Sequence, residues 1–225
     1  MELLSGGGTG VQDRARVTRR SLLEAAAHLF AEQGYAGTSI NDISALSGRT
    51  SGAIYFHYSS KEKLALAVVR EQFAAWPQLA ARYRAADVPP LERLVALSFE
   101  IARALREEPI ARAGARLWTE RRTIDAVVPA PFAVWTGAAT RLLAQARTEG
   151  ELAAGVEPSA TARTLVCAFF GLYTLTEELV GQQGLLDRLH EWWLLVLNAL
   201  QARPDAAALL ARARKHECEP VGALP

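Results

Sequence analysis

Apolar residues recur every three to four positions along almost the whole chain, and no segment alternates apolar and polar residues for long. The first pattern is typical of amphipathic helices, whereas half-buried strands show the second. Half of the 225 residues are hydrophobic, which is enough to build a sizeable core. The sequence therefore predicts an all-α protein.

Charge, cysteine content and hydropathy limit the partners and the compartment. The 25 basic and 24 acidic side chains nearly cancel, so the net charge indicates neither a nucleic acid nor a membrane. Cys167 and Cys218 give neither a disulfide framework nor a metal-ligand spacing, and Cys167 is expected to pack in the core. Without a signal-peptide pattern or a run of about 18 apolar residues, we expect a cytoplasmic protein that does not enter a membrane.

The first two helices are marked by their ends. One is predicted from about Val17 to Gln33, and Gly34 can end it in a left-handed backbone conformation. Thr38 or Ser39 can cap the short helix that follows. Its inward-facing residues are expected to be Ile40, Ile43 and Leu46.

Two more helices follow a turn that contains the glycine at position 48. Thr50 opens the third helix, in which Ile54 and Phe56 are expected to face inward. The fourth is long, and the letters SSKE before it fit a capping box in which Ser59 is the cap and Glu62 reaches back.

Glycines and prolines divide the remaining chain into five or six further helices. Two of them, at 158–180 and 185–202, are apolar on more than one side and must therefore be buried. A homodimer that pairs two copies into a four-helix bundle would bury them, and so would a thick monomeric core.

Residues 38–58 form a helix, a glycine turn and a second helix, which is the arrangement that places a helix in the major groove of DNA. Many proteins that do not bind DNA share this arrangement. Here, however, the residues around the turn can donate hydrogen bonds to phosphates or are small enough to let the backbone approach the bases. The candidate DNA-binding residues are Thr38, Ser39, Arg49, Thr50, Ser51, Gly52, Ala53, Tyr55, His57 and Lys61.

Four arginines between positions 14 and 20 precede the first apolar stripe. They could contact phosphates beside the recognition helix, or they could be the solvated start of a helix. The sequence leaves both interpretations open.

Aromatic residues of the later helices are candidates for a small-molecule site, because such sites between helices are mostly apolar. The same residues could be close-packed core. The candidates are Trp76, Phe99, Trp118, Phe132, Trp135, Phe169 and Tyr173. The sequence predicts no catalytic residue, metal site or cofactor, because it contains neither a nucleophile paired with a base, nor a metal-ligand cluster, nor a cofactor loop.

The run AHLFAEQGYAGTSINDISALSGRTSGAIYFHYSSKEKLALAVV resembles the amino-terminal DNA-binding domain of the tetracycline-repressor (TetR) family. The resemblance implies a homodimer whose recognition helices enter successive major grooves of double-stranded operator DNA. It also implies a larger helical domain that binds a small effector and dimerises through 158–180 and 185–202. With this organisation, we expect a flexible terminus at 1–13, a helix-turn-helix domain at 14–60, a ligand-binding and dimerisation domain at 61–203 and a tail at 204–225.

Later segments, including AGARLWTERRTID and PAPFAVWTGAATRLL, resemble the receptors for γ-butyrolactone and related butenolide or furan autoregulators. In that group a tryptophan at the position of Trp135 lines the ligand pocket, and Trp76 followed by Pro77 matches a shared helix break. The resemblance implies a repressor that an autoregulator releases from a palindromic operator to control antibiotic production.

The sequence departs from that receptor pattern at four positions. Arg49 and Ser51 stand where such receptors often have valine and lysine, and Trp118 and Phe132 replace polar groups that could bond a ligand's oxygens. Burying an unpaired polar ligand group costs about 1 to 3 kcal/mol, so these apolar residues favour a different ligand. The alternative is therefore a pseudo-receptor that responds to an antibiotic, to another apolar ligand, or to none. An enzyme or lipid carrier that keeps a vestigial DNA-binding unit is the hypothesis from another class.

Overall fold

The computed structural model describes residues 7–84, 88–129, 132–180 and 184–215. Helices make up most of these residues, which confirms the predicted all-α fold. In chain order they are α1 (Gly7–Gly37), α2 (Ile40–Ser47), α3 (Ser51–Tyr58), α4 (Lys61–Arg84), α5 (Pro90–Glu107), α6 (Pro109–Thr119), α7 (Phe132–Thr148), α8 (Pro158–Val180), α9 (Leu185–Leu200) and α10 (Ala206–Lys215), with a 3-10 turn at Arg121–Thr123.

The chain forms two compact units. The first takes the residues up to Ala75 together with Glu107–Pro129, and the second takes Trp76–Arg106 together with the residues from Ala130 onward. The whole of α6 and the start of α4 thus belong with α1, α2 and α3. The two units are defined by which residues pack together. The boundaries expected at residues 60 and 203 separate a DNA-binding domain from a ligand-binding domain and a tail, and they stay a prediction.

The core of the first unit lies between α1 and the helices packed against it. Phe30 of α1 and Ile43 of α2 are fully buried, as are Ile54 of α3 and Leu64 of α4. Leu117 of α6 joins the same cluster, so α6 supplies part of the core beneath the helix-turn-helix. This explains why α6 groups with the first unit although it lies far along the chain.

The predicted turns of the helix-turn-helix are confirmed. Gly34 interrupts α1 with φ 74°, a value that L side chains adopt only with strain. Ser39 accepts a hydrogen bond from the backbone N–H of Asp42, and the Asp42 carboxylate accepts one from the backbone N–H of Ser39. Gly48 ends α2 with φ 64°, and the Thr50 hydroxyl caps α3 by accepting from Ala53 N–H at 3.2 Å.

Two residues expected to face inward are exposed instead. The side chain of Leu46 is 53% exposed and that of Phe56 is 83% exposed. In the two-turn helix α3, the buried pair Ile54 and Tyr58 is spaced four residues apart on one face. Phe56 lies midway between them and must project from the opposite face.

The cap of α4 also differs from the prediction. Ser59 ends α3 with φ 67°, and its N–H donates to Tyr55 O at 2.9 Å. Ser60 Oγ accepts from Lys63 N–H at 3.2 Å, so Ser60 is the cap of α4. Because Ser59 ends α3, the N-cap of α4 is Ser60, one residue after the predicted one.

The second unit contains α5 and α7 to α10. Trp193 is 1% exposed, and its indole N–H donates to Ser98 Oγ at 2.7 Å, which ties α9 to α5. Cys167, expected in the core, is exposed because its neighbours Val166 and Phe169 occupy the buried face of α8.

Both predicted terminal segments contain helix in the described residues. At one end α1 begins at Gly7. At the other, α10 lies inside the predicted tail and buries Leu209 and Leu210. The guanidinium of Arg212 pairs with the buried carboxylate of Glu92 at 2.8 Å, which fixes α10 to α5. Among the described helices, none combines the length and the hydropathy needed to cross a membrane.

Candidate DNA-binding and effector sites

Eight of the ten candidate DNA-binding residues are accessible. We call these eight the DNA-reading face, after their predicted role. Its exposed members are Ser39, Arg49, Thr50, Gly52 and Tyr55, and its partly exposed members are Ser51, Ala53 and His57. All but Ser39 lie in α3 or in the two residues before it, and their contact with DNA stays a prediction.

The turn that leads into α3 is held by its own side chains. The Ser44 hydroxyl donates to Arg49 O, and the Arg49 N–H donates to Ser47 Oγ at 3.3 Å. These bonds fix the backbone just before the recognition helix while the Arg49 side chain stays exposed. A fixed turn presents the first residues of α3 in a defined orientation, which base readout in a major groove requires.

Phe56 also lies exposed on α3 beside the DNA-reading face, although the sequence interpretation placed it inward. It lies beside Tyr55, which is 54% exposed, and its ring meets that of His57 edge-on at 5.1 Å between centroids. The spacing in the sequence could have predicted its exposure. Ile54 and Tyr58, four residues apart, fill the buried face of this two-turn helix and leave Phe56 on the opposite face.

The remaining two candidates bond to the backbone before α2. Thr38 is 1% exposed, and its hydroxyl donates to Gly34 O at 2.8 Å. The Lys61 ammonium donates to Tyr35 O at 3.0 Å and Thr38 O at 2.9 Å, and it lies 4.2 Å from the centroid of the Tyr35 ring. Both side chains hold residues 34–39, which we call the α1–α2 turn.

The protonation of groups around this turn follows from their contacts. Burial and the neighbouring Glu62 carboxylate raise the pKa of the Tyr35 hydroxyl. Hydrogen bonding from Ser60, and further from Tyr35, lowers the pKa of Glu62, and the bonds from Ser39 lower the pKa of Asp42. The carboxylates are therefore charged, and Tyr35 keeps its proton, at neutral pH.

The arginines at the start of α1 have intramolecular contacts of their own. Arg20 pairs with Glu24 at 2.6 Å and with Glu71 at 2.7 Å. The Arg19 guanidinium lies 5.2 Å from the centroid of the Tyr58 ring. These contacts hold part of the basic charge next to α3, and whether it meets phosphates stays a prediction.

Three candidate effector residues meet in an aromatic cluster between α7 and α8. The ring of Phe132 lies edge-on to those of Trp135, at 6.1 Å, and Phe170, at 5.2 Å between centroids. Phe170 also contacts Tyr173 at 6.1 Å. We call these four residues the aromatic cluster. Phe170 is not among the sequence candidates, and its neighbour Phe169, which is, lies more deeply buried.

Other effector candidates are not part of this cluster. Phe99 is fully buried under the Arg214 guanidinium at 5.8 Å, and Phe169 is 6% exposed. Trp118 belongs to the first unit, where the Arg121 guanidinium lies 4.0 Å from its ring. The side chain of Trp76 lies outside the described residues. Among the side chains that the structure describes, no three of the His, Cys, Asp or Glu residues are arranged to hold a metal ion.

Two family models match the chain. Residues 22–68 match the bacterial regulatory proteins of the tetR family, and residues 88–202 match the tetracycline repressor-like carboxy-terminal domain. Together the two models cover most of both compact units.

Individual relatives agree with these models. The A-factor receptor protein of Streptomyces griseus is 33% identical over 199 residues, which are 88% of this chain and 68% of that protein. A structure solved to explain the control of antibiotic production by bacterial hormones is 42% identical, with a TM-score of 0.79, and the match covers 83% of this chain and 98% of the other. A γ-butyrolactone receptor structure is 32% identical, with a TM-score of 0.76, over 90% of this chain and 99% of that one.

Proposed function

Because the chain belongs to the tetR family of bacterial regulatory proteins, we propose that it is a transcriptional repressor that a small-molecule autoregulator releases from operator DNA. The observation that carries the proposal is the DNA-reading face, an accessible set of hydrogen-bonding side chains on a recognition helix whose turn is fixed. The similarity to an A-factor receptor and to a γ-butyrolactone receptor supports a lactone, butenolide or furan as the effector. Catalysis has no part in this proposal.

In this proposal α3 enters the major groove. Thr50 and Ser51 at its start, and Tyr55 and His57 further along, donate hydrogen bonds to phosphates. The small residues Gly52 and Ala53 let the backbone approach the base edges. The exposed ring of Phe56 provides an apolar surface for a thymine methyl group.

Few charges take part in this interface. Lys61 is engaged at the α1–α2 turn, and Arg20 is paired with two carboxylates. Each phosphate neutralised by a lysine or arginine steepens the salt dependence by about 0.9 units on B-DNA, so we expect a shallow dependence on salt. Neutral hydroxyl groups and the pairing of two copies would then supply much of the operator affinity.

The dimer would form through α8 and α9. Leu175 of α8 is 62% exposed and Leu195 of α9 is 75% exposed, although both helices are mainly apolar. A two-fold axis that pairs these helices with a second copy would cover both side chains. Two copies would place two recognition helices about 34 to 36 Å apart, so that they fit a palindromic operator. A repressor acts where the genome is, so the cytoplasm is its expected compartment.

The aromatic cluster is the proposed effector site. Phe132, Trp135 and Phe170 are each only partly buried, so they offer apolar surface that a bound molecule could cover. Phe132 replaces a polar residue of the receptor pattern, and this replacement favours the second candidate, a pseudo-receptor for an antibiotic or another apolar ligand.

The first experiment is a mobility shift on the DNA upstream of the protein's own gene at fixed salt. We expect binding without additives and release by a γ-butyrolactone. Release only by an extract of the bacterium that encodes the protein would favour the pseudo-receptor, and binding that no addition changes would contradict ligand control.

Two variants separate the sites in the same assay. Tyr55→Ala should bind the DNA weakly with or without lactone, whereas Trp135→Ala should bind it normally and resist release. A thermal shift checks direct binding, because a ligand at about 100 times its Kd stabilises the fold by about 2.7 kcal/mol. If Trp135→Ala responds like the parent chain, the aromatic cluster is not the effector site.

A further inference from the structure

A carboxylate from α6 binds the backbone of the α1–α2 turn. The Tyr35 N–H donates to Glu120 Oε2 at 2.7 Å, across 85 positions of sequence. Glu120 follows directly after α6, and its side chain is only 27% exposed. A charged acceptor on a backbone N–H makes a shorter and stronger bond than a neutral one does.

Arg116 anchors this carboxylate from the same helix. Its Nε donates to Glu120 Oε1 at 2.9 Å, and its NH1 group donates to Ala31 O at 3.0 Å and Glu32 O at 2.9 Å. The two carbonyls belong to the last turn of α1 before Gly34. Arg116 and Glu120 therefore hold α1 on both sides of its kink, and we call this pair the α6 clamp.

The absence of a side chain at Gly34 leaves room for the Glu120 carboxylate of the clamp. A Cβ built at this residue would lie 2.7 Å from Glu120 Oε2 and 2.9 Å from its Cδ, which is closer than real Cβ atoms come to a neighbour. The residue also has φ 74°, a conformation that L side chains adopt only with strain. A side chain at this position would have to displace the Glu120 carboxylate that accepts from Tyr35 N–H.

The turn held by the clamp also holds the helices that carry the DNA-reading face. Lys61, the first residue of α4, donates to two carbonyls of the turn, and the Tyr35 hydroxyl donates to Glu62 at 2.9 Å. Ser39, the cap of α2, is the last residue of the turn. The placement of α2 and of the junction between α3 and α4 thus depends on the same short segment.

We propose that Glu120 is a positioning residue for operator binding, which sets the placement of α2 and α3 through the α1–α2 turn and does not itself contact DNA. The inference rests on the proposed function. The chain enters the first unit just before α6 and returns to the second unit after residue 129. Within the first unit, a displacement of α6 would therefore reach the recognition helix through this carboxylate.

The test compares Glu120→Ala, Glu120→Gln and Glu32→Gln on two duplexes. One is the duplex that the parent chain binds most tightly out of a randomised pool, and the other is a scrambled duplex of the same composition. Glu32 lies in the turn of α1 before Gly34, and its carboxylate pairs with His28 at 3.3 Å. Glu32→Gln therefore removes one negative charge beside the clamp, as Glu120→Gln does. Removing a negative charge near DNA should by itself strengthen binding, so a loss of affinity has the opposite sign to the charge effect.

We expect Glu120→Ala to weaken binding to the selected duplex about tenfold or more, while its binding to the scrambled duplex stays within about twofold. Glu120→Gln should recover part of the loss, because the amide oxygen still accepts from Tyr35 N–H. Glu32→Gln should bind as tightly as the parent chain or slightly tighter. Circular dichroism and the 15N-edited amide resonance of Tyr35 check that the variants fold and that the bond has changed.

Two results would overturn the positioning role. One is Glu120→Ala binding the selected duplex as tightly as the parent chain does, and the other is an equal loss on both duplexes once the folded fraction is taken into account. A parent chain that selects no duplex at all contradicts the proposed function instead, so the two failures can be told apart.

Discussion

The DNA-reading face and the aromatic cluster are held by different kinds of contact. Around the first, side chains bond directly to the backbone, as Lys61 does at Tyr35 and Thr38 and Glu120 does at Tyr35. In the second, rings meet at 5.2 to 6.1 Å between centroids. Hydrogen bonds to the backbone fix direction, whereas ring contacts tolerate small shifts. A surface that must match a groove benefits from the first, and a site that must accept a ligand benefits from the second.

A change in the α1–α2 turn should have the largest effect on the fold. Gly34→Ala should lower the free energy of unfolding by about 3 kcal/mol, because alanine must adopt a positive φ and displace the Glu120 carboxylate. Urea denaturation of the full chain measures the change. Gly150→Ala is the control for a positive φ, since Gly150 also has φ 74° and no atom lies within 4 Å of its Cβ position. Gly150→Ala should lose only about 1 to 2 kcal/mol of unfolding free energy. An equal loss in both variants would mean that the Glu120 carboxylate moves aside at no cost.

A buried bond in the second unit should affect stability without affecting DNA. Ser98→Ala leaves the buried Trp193 N–H without its acceptor, which should cost about 1 to 3 kcal/mol of unfolding free energy. Operator affinity of the folded protein should stay unchanged in a fluorescence anisotropy titration. Ser159→Ala, which removes an exposed bond to Arg163, is the control and should cost only a few tenths of a kcal/mol. A loss of operator affinity in Ser98→Ala would show that this bond in the second unit also affects DNA binding, contrary to the expectation.

Phe56 tests whether exposure of an aromatic residue in the first unit serves DNA. Phe56→Ala should weaken operator binding about tenfold while leaving the denaturation midpoint unchanged, because the ring is 83% exposed and supports no core. Val127, also in the first unit and 92% exposed, is the apolar control, and Val127→Ala should bind like the parent chain. Normal binding by Phe56→Ala would remove the ring from the interface.

The smallest expected effect concerns pH. Bonds from the Ser39 hydroxyl and N–H lower the pKa of Asp42, so the folded state holds this proton less tightly than the unfolded chain does. The carboxylate therefore stabilises the fold above its unfolded pKa, and this stabilisation is lost as the pH falls through the folded pKa. When the pH is lowered from about 5 to about 3, the urea concentration at the denaturation midpoint should fall less for Asp42→Asn than for the parent chain. Parallel losses would mean that the capping carboxylate does not sense pH.

Local signals in the sequence were sufficient for the all-helical fold and for several helix ends. Gly34 and Gly48 take the positive φ values that their positions require, and Ser39 and Thr50 form the caps that their neighbours allow. The run from residue 27 to residue 69 also indicated the family that the comparisons confirm. These features depend on residues within a few positions of each other, so sequence reasoning can reach them.

Side-chain direction and distant contacts were decided by the tertiary structure. The charge of Lys61 is evident from the sequence, but its contact with the α1–α2 turn is not. The residues near Tyr35 likewise do not indicate that its N–H binds a carboxylate 85 positions away. The contact of Phe170 with Phe132 likewise joins α8 to α7 across 38 positions, which helical periodicity does not show. Helical periodicity is set by short-range backbone geometry, whereas which face of a helix meets which neighbour depends on how all the helices pack together.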